Sequence, residues 1–132
     1  MPEKIRRILI AEDHPFLAAV LSTALSDAGY ETEIASDGKE ALSLIKANLQ
    51  RYDLLMTNQN MPQLSGPELI QRLRKQKFTG KIILMTLSRP QHISKAAKPY
   101  GADVYLSKLF TPEELLNTVA DLIGPGLMDT SR

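Results

Sequence analysis

The sequence predicts an α/β domain in which helices cover both faces of a parallel sheet. Short apolar segments alternate five times with segments whose apolar residues recur every three or four positions, the pattern of strands followed by amphipathic helices. Regular alternation of this kind is typical of parallel sheets, because their crossover connections are helices. The segment Lys81–Thr86 is nearly all apolar, as expected for a strand that is covered on both sides.

The first half of the chain predicts three strands and two helices. Residues Arg7–Ala11 form an apolar strand, and the helix that follows ends at Gly29. Residues Glu31–Ala35 alternate in polarity, which indicates a more exposed strand. A second helix is predicted over 36–49 and a short buried strand over 53–57.

The third helix is identified by its first turn. Ser65 and Glu68 have the spacing of a capping box, and Pro67 suits the first turn of a helix. Cationic residues crowd the end of this helix, where they complement its dipole. We interpret them as a solvated helix end, with a docking patch for an acidic partner as the alternative; they are Arg72, Arg74, Lys75 and Lys77.

The remaining residues predict two further strand–helix units. After the strand at Lys81–Thr86, only a short helix over 91–97 is expected, because Pro99 blocks its continuation. A fifth strand is predicted over 104–106. The last helix begins after Thr111, which opens a second capping box.

Composition excludes several kinds of protein. The 132 residues provide one hydrophobic core, so we expect one domain over 1–125 and a C-terminal tail or linker stump over 126–132. The absence of cysteine excludes disulfides and thiolate zinc sites, and the net charge of +1 does not favour nucleic-acid binding. The longest apolar run is too short to span a membrane. We therefore expect a cytoplasmic protein that binds neither nucleic acid nor a membrane.

Polar residues follow the predicted strands where each strand ends. Glu12 and Asp13 follow the first strand, Asn58 the third, Thr86 the fourth and Lys108 the fifth. In parallel α/β sheets the carboxyl ends of the strands lie at one edge, near the point where the strand order reverses. These side chains are therefore expected to converge, although Asp13 by itself would also serve as a helix N-cap.

Four segments together resemble the receiver domain of two-component response regulators, over nearly the whole chain. The segments are ILIAED, YDLLMTNQNMPQLSG, IILMT and GADVYLSKLFTPEEL. The resemblance implies a flavodoxin-like, doubly wound (βα)5 fold with strand order 2-1-3-4-5. It also implies a module for phosphorelay signal transduction rather than an enzyme, in which a histidine kinase transfers a phosphoryl group to an aspartate.

The acceptor position falls on Asn58, and this departure matters most. By resemblance, Glu12 and Asp13 hold Mg²⁺ together with the acceptor side chain and the backbone carbonyl of Asn60. A carboxamide is neutral and its oxygen is a poor nucleophile, so the site loses both its acceptor and one of three metal-binding charges. We expect Mg²⁺ to bind weakly or not at all. Thr57, the neighbouring hydroxyl, is expected to point away from the face of Asn58.

The resemblance also assigns phosphoryl binding to Thr86 and Lys108, and a switching role to the aromatic Tyr105. Without a phosphoryl group, Lys108 is expected to pair with Asp13 or Asn58. Leu87 stands where the family usually has a small residue, and Leu109 where it usually has proline. A non-proline cis bond costs about 2.5–4 kcal/mol, so the Lys108–Leu109 bond is expected to be trans.

The favoured hypothesis is a pseudo-receiver that binds a histidine kinase or another signalling protein and is not phosphorylated at position 58. Its binding surface would be the face that the family builds from its fourth helix, fifth strand and fifth helix. The alternative is a conventional regulator that carries an engineered Asp-to-Asn change at Asn58. A Mg²⁺-dependent phosphotransferase of similar fold needs a D-x-D-x-T motif after the first strand, and a flavin carrier needs a hydroxyl- and glycine-rich loop there; ILIAEDHPF has neither.

Overall fold

The fold is a five-stranded sheet with helices on both faces, in a computed structural model that describes residues 5–86 and 101–127. The strands are β1 (Arg7–Ala11), β2 (Glu31–Ala35), β3 (Leu54–Asn58), β4 (Lys81–Thr86) and β5 (Val104–Ser107). The helices within the described ranges are α1 (Pro15–Asp27), α2 (Gly38–Ala47), α3 (Gly66–Lys75) and α4 (Pro112–Ile123). The predicted helix over 91–97 and the position of Leu87 lie outside these ranges.

The sheet is parallel throughout and has the order β2-β1-β3-β4-β5, which confirms the predicted order. Ala11 of β1 is in register with Thr57 of β3, and Thr86 of β4 with Ser107 of β5. The carboxyl ends of these strands therefore meet at one edge. The alternating strand β2 lies at the side of the sheet, where Ile34 is exposed.

Each face of the sheet has its own hydrophobic core, because successive strand residues point to opposite faces. On one face, residues such as Leu55 and Leu84 pack with the buried side chains of α2 and α3. On the other face, residues such as Met56 and Ile83 pack with those of α1 and α4. This arrangement makes the fold doubly wound.

The helix starts agree with the sequence in α3 and α4, where Ser65 and Thr111 open complete capping boxes. The expectation that Asp13 could cap α1 was wrong: His14 is the N-cap, and its Nδ1 accepts the N–H of Leu17 at 3.4 Å. Pro15 then occupies the first helical position, for which its fixed φ is suited.

Helix α2 and strands β3 and β5 differ from the prediction by one or two residues at their ends, and the C-terminal residues contact the domain. Strand β3 spans Leu54–Asn58 rather than 53–57, and β5 ends at Ser107 rather than at residue 106. Helix α2 ends at Ala47 rather than at residue 49, because Asn48 has an extended backbone with φ of −156°. Farther along the chain, the N–H of Leu127 donates to the carbonyl of Gly29 at 2.9 Å. Within the described ranges, no helix is long and apolar enough to cross a membrane.

Arg74 corrects the interpretation of the basic end of α3 as uniformly solvated. Its guanidinium donates to the carbonyls of Phe78, Gly80 and Gly101 and pairs with Asp103 at 3.1 Å. Arg74 therefore fastens the end of α3 to the start of β4 and to the turn before β5.

A separate polar cluster joins β2 to the segment before β3. The hydroxyl of Tyr52 donates to Oε1 of Glu33 at 2.6 Å, and Arg51 donates to the same carboxylate. Burial opposes ionisation of this carboxyl, but Tyr52 and Arg51 together hold the pKa of Glu33 below its usual value. A group with a lowered folded pKa stabilises the fold above its unfolded pKa, and this contribution is lost as the pH falls through the folded value.

We predict that Tyr52→Phe raises the pKa of Glu33 toward its ordinary value and lowers stability at neutral pH by less than about 1 kcal/mol, since the pair is partly exposed. NMR titration of the Glu33 carboxyl carbon and urea unfolding across an acidic pH series would measure both effects. Tyr30→Phe is the control, because that hydroxyl donates to the carbonyl of Gly124 instead. An unchanged Glu33 titration in Tyr52→Phe would contradict the assigned cause.

The start of α3 packs tightly against the end of β3, and Gly66 makes this approach feasible. A Cβ at position 66 would lie 2.3 Å from the carbonyl oxygen of Asn58 and 2.8 Å from Cδ1 of Leu84. We predict that Gly66→Ala destabilises the domain by about 1–3 kcal/mol, as overpacking does. Urea unfolding measures this, and the exposed Ser43→Ala in α2 should stay within about 0.5 kcal/mol. A Gly66→Ala domain as stable as that control would contradict this prediction. It would show that the neighbours Asn58 and Leu84 shift to accommodate the added methyl group.

Candidate functional site

The carboxyl edge of the sheet brings together most of the polar residues singled out in the sequence. Glu12 and Asp13 follow β1, Asn58 ends β3, and Lys108 follows β5. Glu12 is 2% exposed and Asn58 9% exposed, so both are taken out of bulk water. The segment after β3 adds the backbone carbonyl of Asn60 to the same place.

The side-chain amide of Asn58 lies at the centre of this cluster. Its Nδ2 donates to the carbonyl of Asn60 at 2.9 Å and to Oδ1 of Asp13 at 3.1 Å, and it lies 3.4 Å from Oε2 of Glu12. All three neighbours are acceptors. The opposite orientation would place the amide oxygen against two carboxylates and a carbonyl, so the nitrogen-inward arrangement is the favourable one.

Lys108 supplies the positive charge. Its Nζ lies 3.0 Å from Oε1 of Glu12, and the two side chains are 14% and 1% exposed. The expected pairing with Asp13 or Asn58 was therefore wrong. No hydrogen-bond donor of the described residues is aligned with Oε1, so Lys108 compensates its charge through proximity alone, while Oε2 accepts the N–H of His14 at 3.1 Å.

Thr86, assigned to phosphoryl binding, and Tyr105, assigned to switching, lie on the neighbouring strands β4 and β5. Thr86 is buried at the end of β4, and its carbonyl accepts the N–H of Lys108 at 2.7 Å. Tyr105 is in register with Leu84, two residues before Thr86, and packs half-buried against the core formed with α2 and α3. Thr86 and Tyr105 thus occupy the same face of neighbouring strands.

The loops that frame the cluster are fixed by backbone hydrogen bonds. The N–H of Gln59 donates to the carbonyl of Met85, and the N–H of Gly66 donates to the carbonyl of Gln59, both at 2.9 Å. The Lys108–Leu109 bond is trans, as predicted. The contribution of His14 through its backbone N–H was missed in the sequence, because any residue at that turn could supply it.

Thr57 is buried beside Asn58, but its side chain belongs to the opposite face of β3. Its hydroxyl donates to the backbone carbonyl of Asn58 at 3.1 Å, so it is directed away from the acidic pair. The face expected from strand alternation is the one observed.

The residues as arranged do not fit Mg²⁺. The ion takes oxygen ligands in near-octahedral geometry. Here Asn58 directs a nitrogen, not an oxygen, toward Glu12, Asp13 and the carbonyl of Asn60, and Lys108 already compensates Glu12. Across residues 5–86 and 101–127, no group of three acidic, histidine or cysteine side chains is placed to hold a metal.

Comparison with known proteins gives one consistent family. Residues 8–120 match the response regulator receiver domain family. The chain is 33% identical over 110 residues to the alkaline phosphatase synthesis transcriptional regulatory protein PhoP of Bacillus subtilis, an alignment that covers 83% of this chain and 45% of that protein. It is 35% identical over 122 residues to the sensor protein EvgS of Escherichia coli, covering 92% of this chain and 10% of that protein.

The solved structures agree with this match. The response regulator TrrA of Thermotoga maritima, crystallised in complex with Mg²⁺ and BeF, superposes with a TM-score of 0.79 at 35% identity, covering 89% of this chain and 99% of that one. The chain spans less than half the length of the curated relatives named above.

We predict that Lys108→Met destabilises the domain by about 1–3 kcal/mol, because it leaves a buried carboxylate without its counter-charge. The released carboxylate of Glu12 should then gain affinity for Mg²⁺, so that millimolar Mg²⁺ raises the melting temperature of the variant more than that of the unchanged protein. Thermal unfolding with and without the ion measures this. Lys77→Met, at an exposed position, is the control. An equal Mg²⁺ effect on both proteins would contradict the role given to Lys108.

Proposed function

We propose that this chain, which belongs to the response regulator receiver domain family, is a pseudo-receiver: a signalling module that is not phosphorylated at position 58 and acts by binding other proteins. The observation that carries the proposal is the amide of Asn58, which donates to the residues that would hold the metal. A phosphoacceptor must instead present an anionic oxygen to the incoming phosphorus.

The chemistry of the amide supports this proposal directly. The nitrogen lone pair of a carboxamide is delocalised, and its oxygen carries no full negative charge, so neither atom attacks phosphorus readily. The surrounding charges also disfavour phosphoryl transfer to position 58. Lys108, which would have to stabilise the charge of a transferred phosphoryl group, is held at 3.0 Å from Glu12 instead. Preorganised charge stabilisation is usually the largest catalytic contribution, so its misdirection costs about 10²–10³ in rate.

The switching residues should then keep one arrangement. A ligand shifts a conformational equilibrium only when it binds the two states with different affinity. Without a phosphoryl group at position 58, nothing at the site draws Thr86 away from its present packing. Thr86 and Tyr105 therefore serve as structural residues in this proposal.

Partner binding is assigned to the face that includes β5 and α4, with a histidine kinase or another signalling protein as the partner. Strand β5 lies at one side of the sheet, so its outer edge is not paired within the described part of the chain. Leu109, between β5 and α4, is 79% exposed. Its side chain is therefore accessible to a partner that binds this face. The third component of this face, the predicted helix over 91–97, lies outside the described residues.

The proposal predicts that neither acetyl phosphate nor a partner kinase labels the unchanged chain at position 58. Asn58→Asp should recover Mg²⁺ binding, because a third carboxylate joins Glu12 and Asp13, but should phosphorylate slowly while Lys108 remains on Glu12. Intact-mass spectrometry follows the adduct, and Mg²⁺ titration by NMR follows the metal.

Asn60→Asp is the matched control, because it makes the same chemical change two residues away at an exposed position whose contribution to the cluster is a backbone carbonyl. It should gain no label. A stoichiometric adduct on the peptide around Asn58 in the unchanged chain would overturn the proposal. An Asn58→Asp variant that labels as fast as an ordinary receiver would favour the alternative, in which a single Asp-to-Asn change silences a conventional regulator.

A further inference from the structure

We propose that the groove between the C-terminal ends of α2 and α3 binds an acidic segment of a partner protein. This inference goes beyond the proposed function and does not depend on the chemistry at Asn58. Both helices follow strands and run back across the sheet, so their C-terminal ends lie at the amino edge, opposite the acidic cluster.

The groove is a surface feature of substantial size. Its volume is about 560 Å³, and its lining combines three cationic side chains with an apolar side chain and an amide. Lys46 comes from the last turn of α2, and Arg72 and Lys75 come from the last turn of α3. The remaining lining residues are Leu42 and Gln76.

The three cations are exposed and uncompensated. None of them makes a side-chain hydrogen bond or an ion pair with any other residue in 5–86 or 101–127. Arg74, in the same turn of α3, differs in both respects, because it is partly buried and bonded to three carbonyls and Asp103. The structure thereby removes Arg74 from the basic patch suggested by the sequence and adds Lys46 to it.

The helix ends account for only part of this charge. A helix C-terminus carries roughly half a negative charge, so two such ends offset about one of the three positive charges and leave about two. If these side chains only offset the two helix dipoles, one positive charge would be enough.

The sequence around the groove is free of acidic residues over long distances. No aspartate or glutamate occurs in 41–52, which includes the end of α2. None occurs in 69–102, where eight basic residues are found. These two segments therefore place no carboxylate of their own beside the groove, and Glu68, one turn before Arg72, is engaged in the capping box with Ser65. An acidic ligand from another molecule would meet three positive charges there.

A protein segment fits this groove better than a nucleic acid does. Duplex DNA carries one charge per about 1.7 Å and is bound by cations spread along its track, whereas these three cations surround one short depression. Leu42 gives the groove an apolar wall, which suits an amphipathic helix with carboxylates beside its apolar stripe. A chain with a net charge of +1 also lacks the excess charge of a general nucleic-acid binder.

The test uses the full chain, labelled with ¹⁵N, and three probes. The first probe is a short amphipathic peptide built from Glu, Leu and Ala, the second is the same peptide with Gln in place of Glu, and the third is a single-stranded oligonucleotide of equal charge. We expect the Glu peptide to shift amide signals in 42–47 and 72–76, and the Gln peptide to leave them unchanged. Binding should weaken as salt is raised, because exposed charges are screened.

The variant Lys46→Gln/Arg72→Gln/Lys75→Gln should bind the Glu peptide at least about tenfold more weakly, the sum expected for three exposed ion pairs. Its melting temperature should stay close to that of the unchanged chain, because none of the three side chains supports the fold.

The matched control is Lys39→Gln/Lys77→Gln/Lys81→Gln, which removes equal charge from exposed positions that do not line the groove. It should retain peptide binding within about threefold, since none of these three side chains lines the groove. Equal losses in the two variants, shifts spread over the whole surface, or no binding at all would overturn the proposal. Tighter binding of the oligonucleotide than of the Glu peptide in the groove would overturn the assignment to a protein partner.

Discussion

The buried carboxylate of Glu12, at the carboxyl edge of the sheet, needs a compensating charge, and this chain supplies it from its own side chains. Burying the carboxylate of Glu12 costs several kcal/mol unless an opposite charge and hydrogen bonds replace its hydration. Lys108 supplies the charge, and the backbone of His14 and the amide of Asn58 supply polar contacts. Because Lys108 follows β5 and Glu12 follows β1, the contact reaches across β3 and β4 and closes the edge of the sheet.

This contact also links β4 to the segment after β1 through one residue. The backbone N–H of Lys108 donates to the carbonyl of Thr86, so one residue is anchored to β4 by its main chain and to the segment after β1 by its side chain. Displacement of the Thr86 backbone would therefore affect the main-chain hydrogen bond that positions Lys108.

Most of the fold could be predicted because strands and helices are indicated by the spacing at which apolar residues recur. The capping boxes at Ser65 and Thr111 could be predicted because they depend only on residues three positions apart. The site was less predictable, because its contacts join segments distant in sequence. Asp13 does not cap α1 since its carboxylate accepts from Asn58, which leaves the cap to His14. The family pattern likewise could not indicate whether Lys108 would select Glu12 or Asp13, a choice that depends on which carboxylate is buried.

The two ends of the domain therefore differ in how their charge is used. At the carboxyl edge, Lys108 offsets the charge of the buried Glu12, and the neutral amide of Asn58 donates to Asp13. At the amino edge, Lys46, Arg72 and Lys75 have no such compensation among the described residues. Exposed charge of one sign raises association rates, whereas internally paired charge does not. If no phosphoryl group forms at position 58, recognition must come from surfaces that need no switching, and the basic groove is such a surface.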